Sequence, residues 1–354
     1  MNFQSTLNTT IVESYCASNH INPLFLCGNA LDLLKEFPPN ILDFCMTSPP
    51  YWGKREYESG GIGQEADMSD YIIHILNIFS EIKRILKDTG SLWLNLGDTY
   101  QGKSLVGLPW RVALAMIDEQ NWILRNDVIW NKLKGPDSAV DRLRNTHEYI
   151  FHFTKHSKGF YYDIDAIRSR SRDSYISKNG AIVSGTGVTG VRYKRQIELS
   201  TSLNEFEKVD ALRSLEEMLG RIRSGELSDF RMIIRNQQRT THSSSTKVSG
   251  RAKELESRGF YFLQYHPNGS KPSDVWEILP EDKRYHDGHY ATYPEDICRV
   301  PILATCPING IVLDPFCGTG TTNFVAMQMG RKSIGIDLSK NYLDYAQQRC
   351  YILL

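Results

Sequence analysis

Residues 310–322 limit the fold more than any other stretch. They read Gly-Ile-Val-Leu-Asp-Pro-Phe-Cys-Gly-Thr-Gly-Thr-Thr, a buried strand, a glycine-rich turn and the start of a helix. Glycines in such a turn let the backbone approach a ligand and aim its N–H groups at it. A second strand, from Lys332, ends in Asp337, 17 residues after Gly320. That is close to the ~20 residues typical of an acid that grips ribose hydroxyls. The third glycine of the dinucleotide fingerprint is absent, because Asn323 stands there. The loop therefore suits a nucleoside cofactor with no pyrophosphate better than NAD or FAD. A helix over 340–350 closes this part, and 354 residues leave room for one large α/β domain with an insertion, or for two domains.

The second informative stretch is Thr47-Ser48-Pro49-Pro50-Tyr51-Trp52, which ends the apolar run 41–46. That run reads as a buried strand stopped by two prolines. Each proline removes an N–H donor, and the carbonyls of Ser48 and Pro49 precede rings that donate nothing. They stand ready to accept hydrogen bonds from outside the chain, beside the Ser48 hydroxyl and the Tyr51 ring. Acceptors beside a flat ring suit a planar group that carries an NH2, such as a nucleobase. The same residues also describe a plain strand, a Pro-Pro turn and a packed tyrosine.

At the start of the chain, residues 1–20 are polar and form a loosely held arm. Residues 24–29, Leu-Phe-Leu-Cys-Gly-Asn, make a short strand and a turn, and a helix over 30–37 stops at Pro38-Pro39. Residues 53–67 are a loop. Apolar residues at helical spacing predict a helix over 71–87, then a strand over 91–98 and a helix over 109–119 with Pro109 in its first turn. Two strands follow, 123–130 and 147–154, joined by a charged loop over 131–145. His152 reads as an ordinary strand residue.

From Ser169 the character changes. The tracts 169–190 and 240–250 are dominated by Ser, Gly and Thr, too polar to pack, and read as mobile loops. Between them 209–219 has helical periodicity. Residues 168–275 carry 19 Lys/Arg against 12 Asp/Glu, although the whole chain is neutral. Such segregation fits an electrostatic footprint for phosphates. His286 and His289 have no nearby cysteine or third ligand, so no metal is expected. Neither do the seven scattered cysteines form a CxxC pair, which argues against zinc and disulfides and fits a reducing, cytoplasmic setting. No apolar run approaches the ~20 residues of a membrane span, and the first residues lack a signal-peptide pattern.

Taken together, residues 47–52, 91–98, 127–155, 273–278, 289–294, 314–322 and 334–339, in that order, resemble the S-adenosylmethionine-dependent DNA amino-methyltransferases. The order is that of the permuted β class, in which the catalytic stretch precedes the cofactor loop. The resemblance covers about 24–165 and 270–350. It implies a seven-stranded, mostly parallel, Rossmann-like sheet, circularly permuted, with helices on both faces. Residues 1–167 would be the catalytic half, 273–354 the cofactor-binding half, and 168–272 an inserted target-recognition region. Leu24 to Cys27 would supply the strand that follows Asp337 in the sheet.

Carried over by residue, Phe316, Gly318, Gly320 and Thr321 line the methionine part of the cofactor, with Asp314 at the base of the loop and Thr47, Pro315 and Thr319 beside them. Asp337 holds the ribose. Asn29 stands where the family usually has an acid near the adenine amine and would accept a hydrogen bond there. His289 and Pro294 contribute near the methionine end. Ser48, Pro49, Pro50 and Tyr51 are the catalytic stretch. The Ser48 hydroxyl and Pro49 carbonyl would accept the two N–H bonds of an exocyclic amine, and Tyr51 would stack on a base extruded from the duplex. A serine at the first position, followed by Pro-Pro-Tyr-Trp, is similar to the cytosine-N4 members. Adenine-N6 members usually have an acid there and stand as the alternative. Cytosine-C5 methylation needs a cysteine nucleophile, usually after proline, and the chain has no Pro-Cys pair.

In the insertion, Arg221, Arg223, Arg231, Arg235 and Arg239 are candidates for phosphates or guanine edges. The implied partners are double-stranded DNA and a restriction endonuclease acting on the same site, with the chain as a monomer or homodimer. Methylation of RNA or of a small amine, and a catalytically inactive DNA-binding protein on the same scaffold, are the rival readings.

Overall fold

A computed structural model describes residues 3–53, 61–133, 139–169, 173–185, 187–236, 250–281 and 293–351. The chain forms two compact units, Met1–Ala166 with Ser273–Leu354, and Ile167–Pro272. His289 and Arg239 lie outside the described residues, as does the tract 240–249.

In chain order the first unit contains α1 (Phe3–Ala17), β1 (Leu24–Cys27), α2 (Ala30–Lys35), β2 (Leu42–Thr47), α3 (Met68–Ile85) and β3 (Leu86–Leu96). A small hairpin, β4 (Tyr100–Gln101) and β5 (Ser104–Leu105), precedes α4 (Leu108–Gln120), β6 (Ile123–Asn131) and β7 (His147–Thr154). The second unit holds β8 (Tyr175–Ile176), β9 (Ile182–Val183), α5 (Gly190–Glu198), α6 (Glu205–Arg223), β10 (Asp229–Ile234), α7 (Gly250–Arg258) and β11 (Phe260–Tyr265). The chain then returns with β12 (Val275–Glu277), α8 (Asp296–Thr305), β13 (Ile311–Asp314), α9 (Thr321–Gln328), β14 (Lys332–Asp337) and α10 (Lys340–Tyr351).

The first unit is built on an eight-stranded sheet of order β1-β14-β13-β2-β3-β7-β6-β12. All its strands run one way except β7, which is antiparallel to both β3 and β6. This is one strand more than the resemblance implies. The extra strand is β12, whose Val275 pairs with Ile129 as the chain comes back from the insertion. β2 and β13 are buried throughout, as expected of central strands covered on both faces, and this is why they read as continuous apolar runs. Their alternation sorts the core into two layers. Cys45, Leu92 and Leu94 pack with Tyr71, Ile75, Phe79, Trp122 and Phe151 on one face. Phe44, Met46 and Trp93 pack with Ile297, Ile302 and Val325 on the other. Because β1, β14, β13, β2, β3 and β6 are parallel, their C-terminal ends open along one edge, and the N-terminal end of antiparallel β7 joins them there. Ligands of open α/β sheets bind at such an edge.

β1 pairs with β14 in parallel, Leu24 opposite Ile334 and Cys27 opposite Asp337, so the strand from the N-terminal part completes the sheet as expected. The first 20 residues are a correction. They form α1, with Val12 fully buried. The Tyr15 hydroxyl donates to the Ser333 carbonyl (3.0 Å) and accepts from the Ser333 N–H (3.0 Å). It thereby satisfies the backbone of β14 just before β1 begins to pair with it. Lys332 Nζ donates to the Cys16 carbonyl at the helix C-terminus. Three anchoring side chains in an otherwise polar stretch are too few to show as periodicity.

The second unit has a core of its own: Tyr193 and Ile197 of α5, Ala211, Leu215 and Leu219 of α6, and Phe230, Met232 and Phe260 of the antiparallel β10–β11 pair. The tract 169–190 is a second correction. Its described part includes the β8–β9 hairpin, with Ile182 and Val183 buried. Two adjacent apolar residues suffice to dock a short hairpin that composition alone marks as a loop.

Candidate active site

β2 and β13 lie side by side, Phe44 opposite Val312 and Cys45 opposite Leu313, so the segments that follow them start next to each other. A hydrogen bond closes the junction, from Thr47 Oγ1 to Asp314 Oδ1 at 2.7 Å. Asp314 is 1% exposed. It also accepts from Thr322 Oγ1 (2.7 Å), the Tyr293 hydroxyl (3.1 Å) and the Phe316 N–H (3.2 Å). Burial pushes its carboxyl above the usual range, while these donors pull the other way. Asp314 thus joins the catalytic-side strand, the glycine loop and the approach to α8. Pro294, next to Tyr293, is buried there.

In the loop, Gly318 (φ +51°) and Gly320 (φ +74°) are left-handed. A Cβ on Gly320 would lie 2.8 Å from Ala346 Cβ of α10, so only glycine fits. The Gly318 N–H donates to Asp337 Oδ2 (2.9 Å), and Oδ1 accepts from the Ser339 N–H (2.8 Å). Burial raises the Asp337 carboxyl as well. Asp337 therefore ties the end of β14 to the glycine loop and retains lone pairs for hydroxyls. Phe316 stays partly exposed, Pro315 is buried, and Thr321 Oγ1 accepts from Arg349 (3.1 Å). Asn323, at the missing third glycine, is fully buried and faces Gly335 of β14, where a Cβ would lie 2.9 Å from its Oδ1. The strand supplies the close approach that the helix glycine supplies in dinucleotide folds.

The donor implied by the resemblance fits this cradle. Thr319 Oγ1 is buried with no partner among the described residues, a polar atom left for a ligand, and the loop is pinched by glycines beside a half-buried acid. Asn29 sits at the turn after β1, where the Gly28 N–H donates to the Asp337 carbonyl (3.0 Å). Its Oδ1 caps α2, accepting from the N–H groups of Leu31 (3.0 Å) and Asp32 (3.3 Å). What Asn29 offers outward is its NH2, a donor, where an acceptor was expected.

On the catalytic side, no donor among the described residues reaches the Ser48 or Pro49 carbonyl, whereas the Pro50 carbonyl accepts from the Tyr71 hydroxyl (2.9 Å). The Tyr51 hydroxyl donates to Glu148 Oε2 (2.7 Å) and lies 3.1 Å from Ser48 Oγ. Asn95 Nδ2 donates to Glu148 Oε2 (2.8 Å) and the Tyr51 hydroxyl (2.9 Å), with Ser48 Oγ at 3.3 Å. Lys132 Nζ donates to Glu148 Oε1. Burial, and then the Glu148 charge, push the Tyr51 phenol well up, so it stays protonated. The ring is backed by Gly97, where a Cβ would lie 2.7 Å from Tyr51 Cε2.

Asn95, Glu148 and Lys132 were not singled out from sequence. They come from β3, β7 and the end of β6, and only the sheet edge brings them together. The available signal was Glu148 itself, a carboxylate in an otherwise aromatic strand. His152, further along β7, is buried against Trp93 (ring centroids 4.3 Å apart) with Nε2 3.1 Å from Ser91 Oγ.

In the second unit, three arginines expected to meet DNA are engaged by acids: Arg221 with Glu226 (2.7 Å), Arg223 with Glu216 (3.0 Å) and Arg235 with Glu207 (2.9 Å). Arg231 is exposed on β10. By contrast, Arg192, Lys194 and Arg195 of α5 are exposed and have no ion-pair partner among the described residues.

Comparison with known proteins agrees with this architecture. M.SfiI, a Type II methyltransferase of Streptomyces fimbriatus, is 29% identical over 94% of this chain and 93% of its own length. The PvuII cytosine-N4-specific DNA methyltransferase shares the fold, with a TM-score of 0.56 over 93% of this chain and 86% of that one at 17% identity. A Thermus thermophilus protein solved with S-adenosyl-L-methionine aligns at a TM-score of 0.50 over 93% of this chain and 94% of that one, also at 17% identity. The family model for N6/N4 DNA methylases matches residues 42–348, from β2 through most of α10. It spans both sides of the Thr47–Asp314 junction, and the chain belongs to that family, whose methyl donor is S-adenosylmethionine.

Proposed function

We propose that the chain methylates the N4 amine of cytosine at a specific site in duplex DNA, as the modification half of a restriction-modification system. The observation that carries the N4 reading is Ser48 at the head of Ser48-Pro49-Pro50-Tyr51, with its hydroxyl held in a network that ends on Glu148. When bound, S-adenosylmethionine supplies an electrophilic methyl group on a positively charged sulfur. Gly318, Gly320, Thr319, Phe316 and Asp337 would hold it, with Asp314 fixing the loop.

An aromatic amine is a poor nucleophile because its lone pair is delocalised into the ring. Ser48 Oγ and the Pro49 carbonyl accept its two N–H bonds and draw the nitrogen toward tetrahedral geometry, which localises that pair. Tyr51 gives its only proton to Glu148, so the Ser48 hydroxyl donates to Tyr51 and keeps its own oxygen open to the amine. Asn95 has two hydrogens for three acceptors and serves the nearer two. The run Ser48→Tyr51→Glu148 gives the proton shed by the amine a path to a carboxylate. Most of the rate comes from alignment and preorganised dipoles.

Residues 168–272 are proposed as the target-recognition region, supported by their excess of basic residues and by the exposed cations of α5. The Type II designation of M.SfiI supports a partner endonuclease. The test is to incubate the protein with labelled cofactor and mixed duplexes, digest to nucleosides and identify the product. N4-methylcytosine is expected. N6-methyladenine would overturn the choice of base, and label in RNA but not DNA would overturn the substrate.

A further inference from the structure

We propose that residues 139–146, the described part of the segment between β6 and β7, enter duplex DNA and fill the space vacated by the target base with Val140 and Leu143. The inference rests on the reading that the enzyme acts on an extruded base. Three observations carry it.

The first is position. β6 ends and β7 begins at the sheet edge that carries Ser48 and Tyr51, and the segment is rooted in the catalytic network. Lys132, just after β6, donates to Glu148, which takes the Tyr51 proton.

The second is how the segment is held. Asp141 accepts from Lys103 Nζ (2.9 Å), and the Arg142 guanidinium lies 3.9 Å from the centre of the Tyr100 ring. Lys103 and Tyr100 belong to the β4–β5 hairpin, which leaves the same edge after β3. Residues 141 and 142 are thus turned toward the hairpin.

The third is what flanks them. Val140 is 99% exposed and Leu143 92%. Single exposed apolar residues are ordinary on protein surfaces. Here two large ones lie within four residues, nearly free of their own chain, and beside Arg142 and the exposed Arg144. Apolar tips between cations match a polyanion with an apolar interior.

Base extrusion leaves neighbouring pairs without a stacking partner, and apolar side chains are what proteins insert between base steps. Val140 and Leu143 would occupy that gap while Arg142 and Arg144 meet flanking phosphates.

The test uses the full-length enzyme carrying Val140→Ser and Leu143→Ser together, and a duplex containing the site mapped from wild-type methylation of mixed-sequence DNA. Absence of wild-type turnover on any duplex would be a failure of the proposed function, not of this inference. Two readouts follow on that duplex. Chloroacetaldehyde reactivity of the target base in the complex reports unpairing directly and is expected to fall to the free-duplex level in the double variant. Turnover should fall about ten-fold or more on the paired duplex and stay within about two-fold when the target base is mispaired, since extrusion is then partly done. Wild-type reactivity and turnover in the variant would overturn the proposal, as would equal losses on paired and mispaired duplexes. A wild-type dimer that the double variant converts to monomer would assign these side chains to a second copy and also overturn it.

Discussion

Tyr51 can lend its ring to a base only because its hydroxyl is fixed elsewhere, by Glu148, Asn95 and Ser48. Two predictions separate ring from hydroxyl. Tyr51→Ala should remove about 1–3 kcal/mol of base stacking and most turnover while cofactor binding, measured by calorimetry, persists. Loss of cofactor binding would put Tyr51 in the wrong role. Glu148→Gln keeps the shape but ends the proton path on a neutral group, and kcat should fall about 10²-fold or more with KM for the cofactor unchanged in steady-state assays. Ser48-Pro49-Pro50-Tyr51 was legible in the sequence because its residues are contiguous. Its support was not, because Glu148 lies far along the chain from Tyr51 and only strand order joins them.

A third prediction concerns His152. Burial pushes its imidazole down to about 3, against about 6.5 when unfolded. Between those values the unfolded chain binds the extra proton, so stability falls as pH falls, by about 1.4 kcal/mol per unit from this group. In chemical denaturation at pH 4, 5 and 6, His152→Phe should show a slope shallower by about that amount.

At the scale of elements, strands and helices with dense apolar periodicity were readable. β6, β7, β14 and α4 fall within a residue or so of expectation. Elements held by a few long-range contacts were not. α1 depends on Val12, Tyr15 and a lysine more than 300 positions away. Tyr15→Phe leaves the Ser333 backbone without its partner and should cost about 1–3 kcal/mol in urea denaturation. Sequence reasoning also credited the wrong arginines, since composition counts charges without showing which are paired. If α5 meets phosphates, replacing Arg192, Lys194 and Arg195 by Ala should reduce the slope of log K for DNA against log salt by about 2–3. Arg223→Ala, whose guanidinium already serves Glu216, should leave that slope nearly unchanged. Equal effects from both variants would remove α5 from the interface.

Across the whole molecule, the parallel sheet and the pairing of β1 with β14 followed from the order of motifs, and the added β12 did not, because three residues at a sheet edge carry no pattern. Strand order also sets when the sheet can form. β1 and β2 are successive in the chain yet stand apart in the sheet, and the two strands between them, β14 and β13, are synthesised about 260 residues after β2. A ribosome therefore releases nearly the entire polypeptide before the middle of the sheet exists. A product cut short ahead of position 311 lacks the floor of the pocket as well as one wall, and translation has to finish before any of this chain can mark DNA.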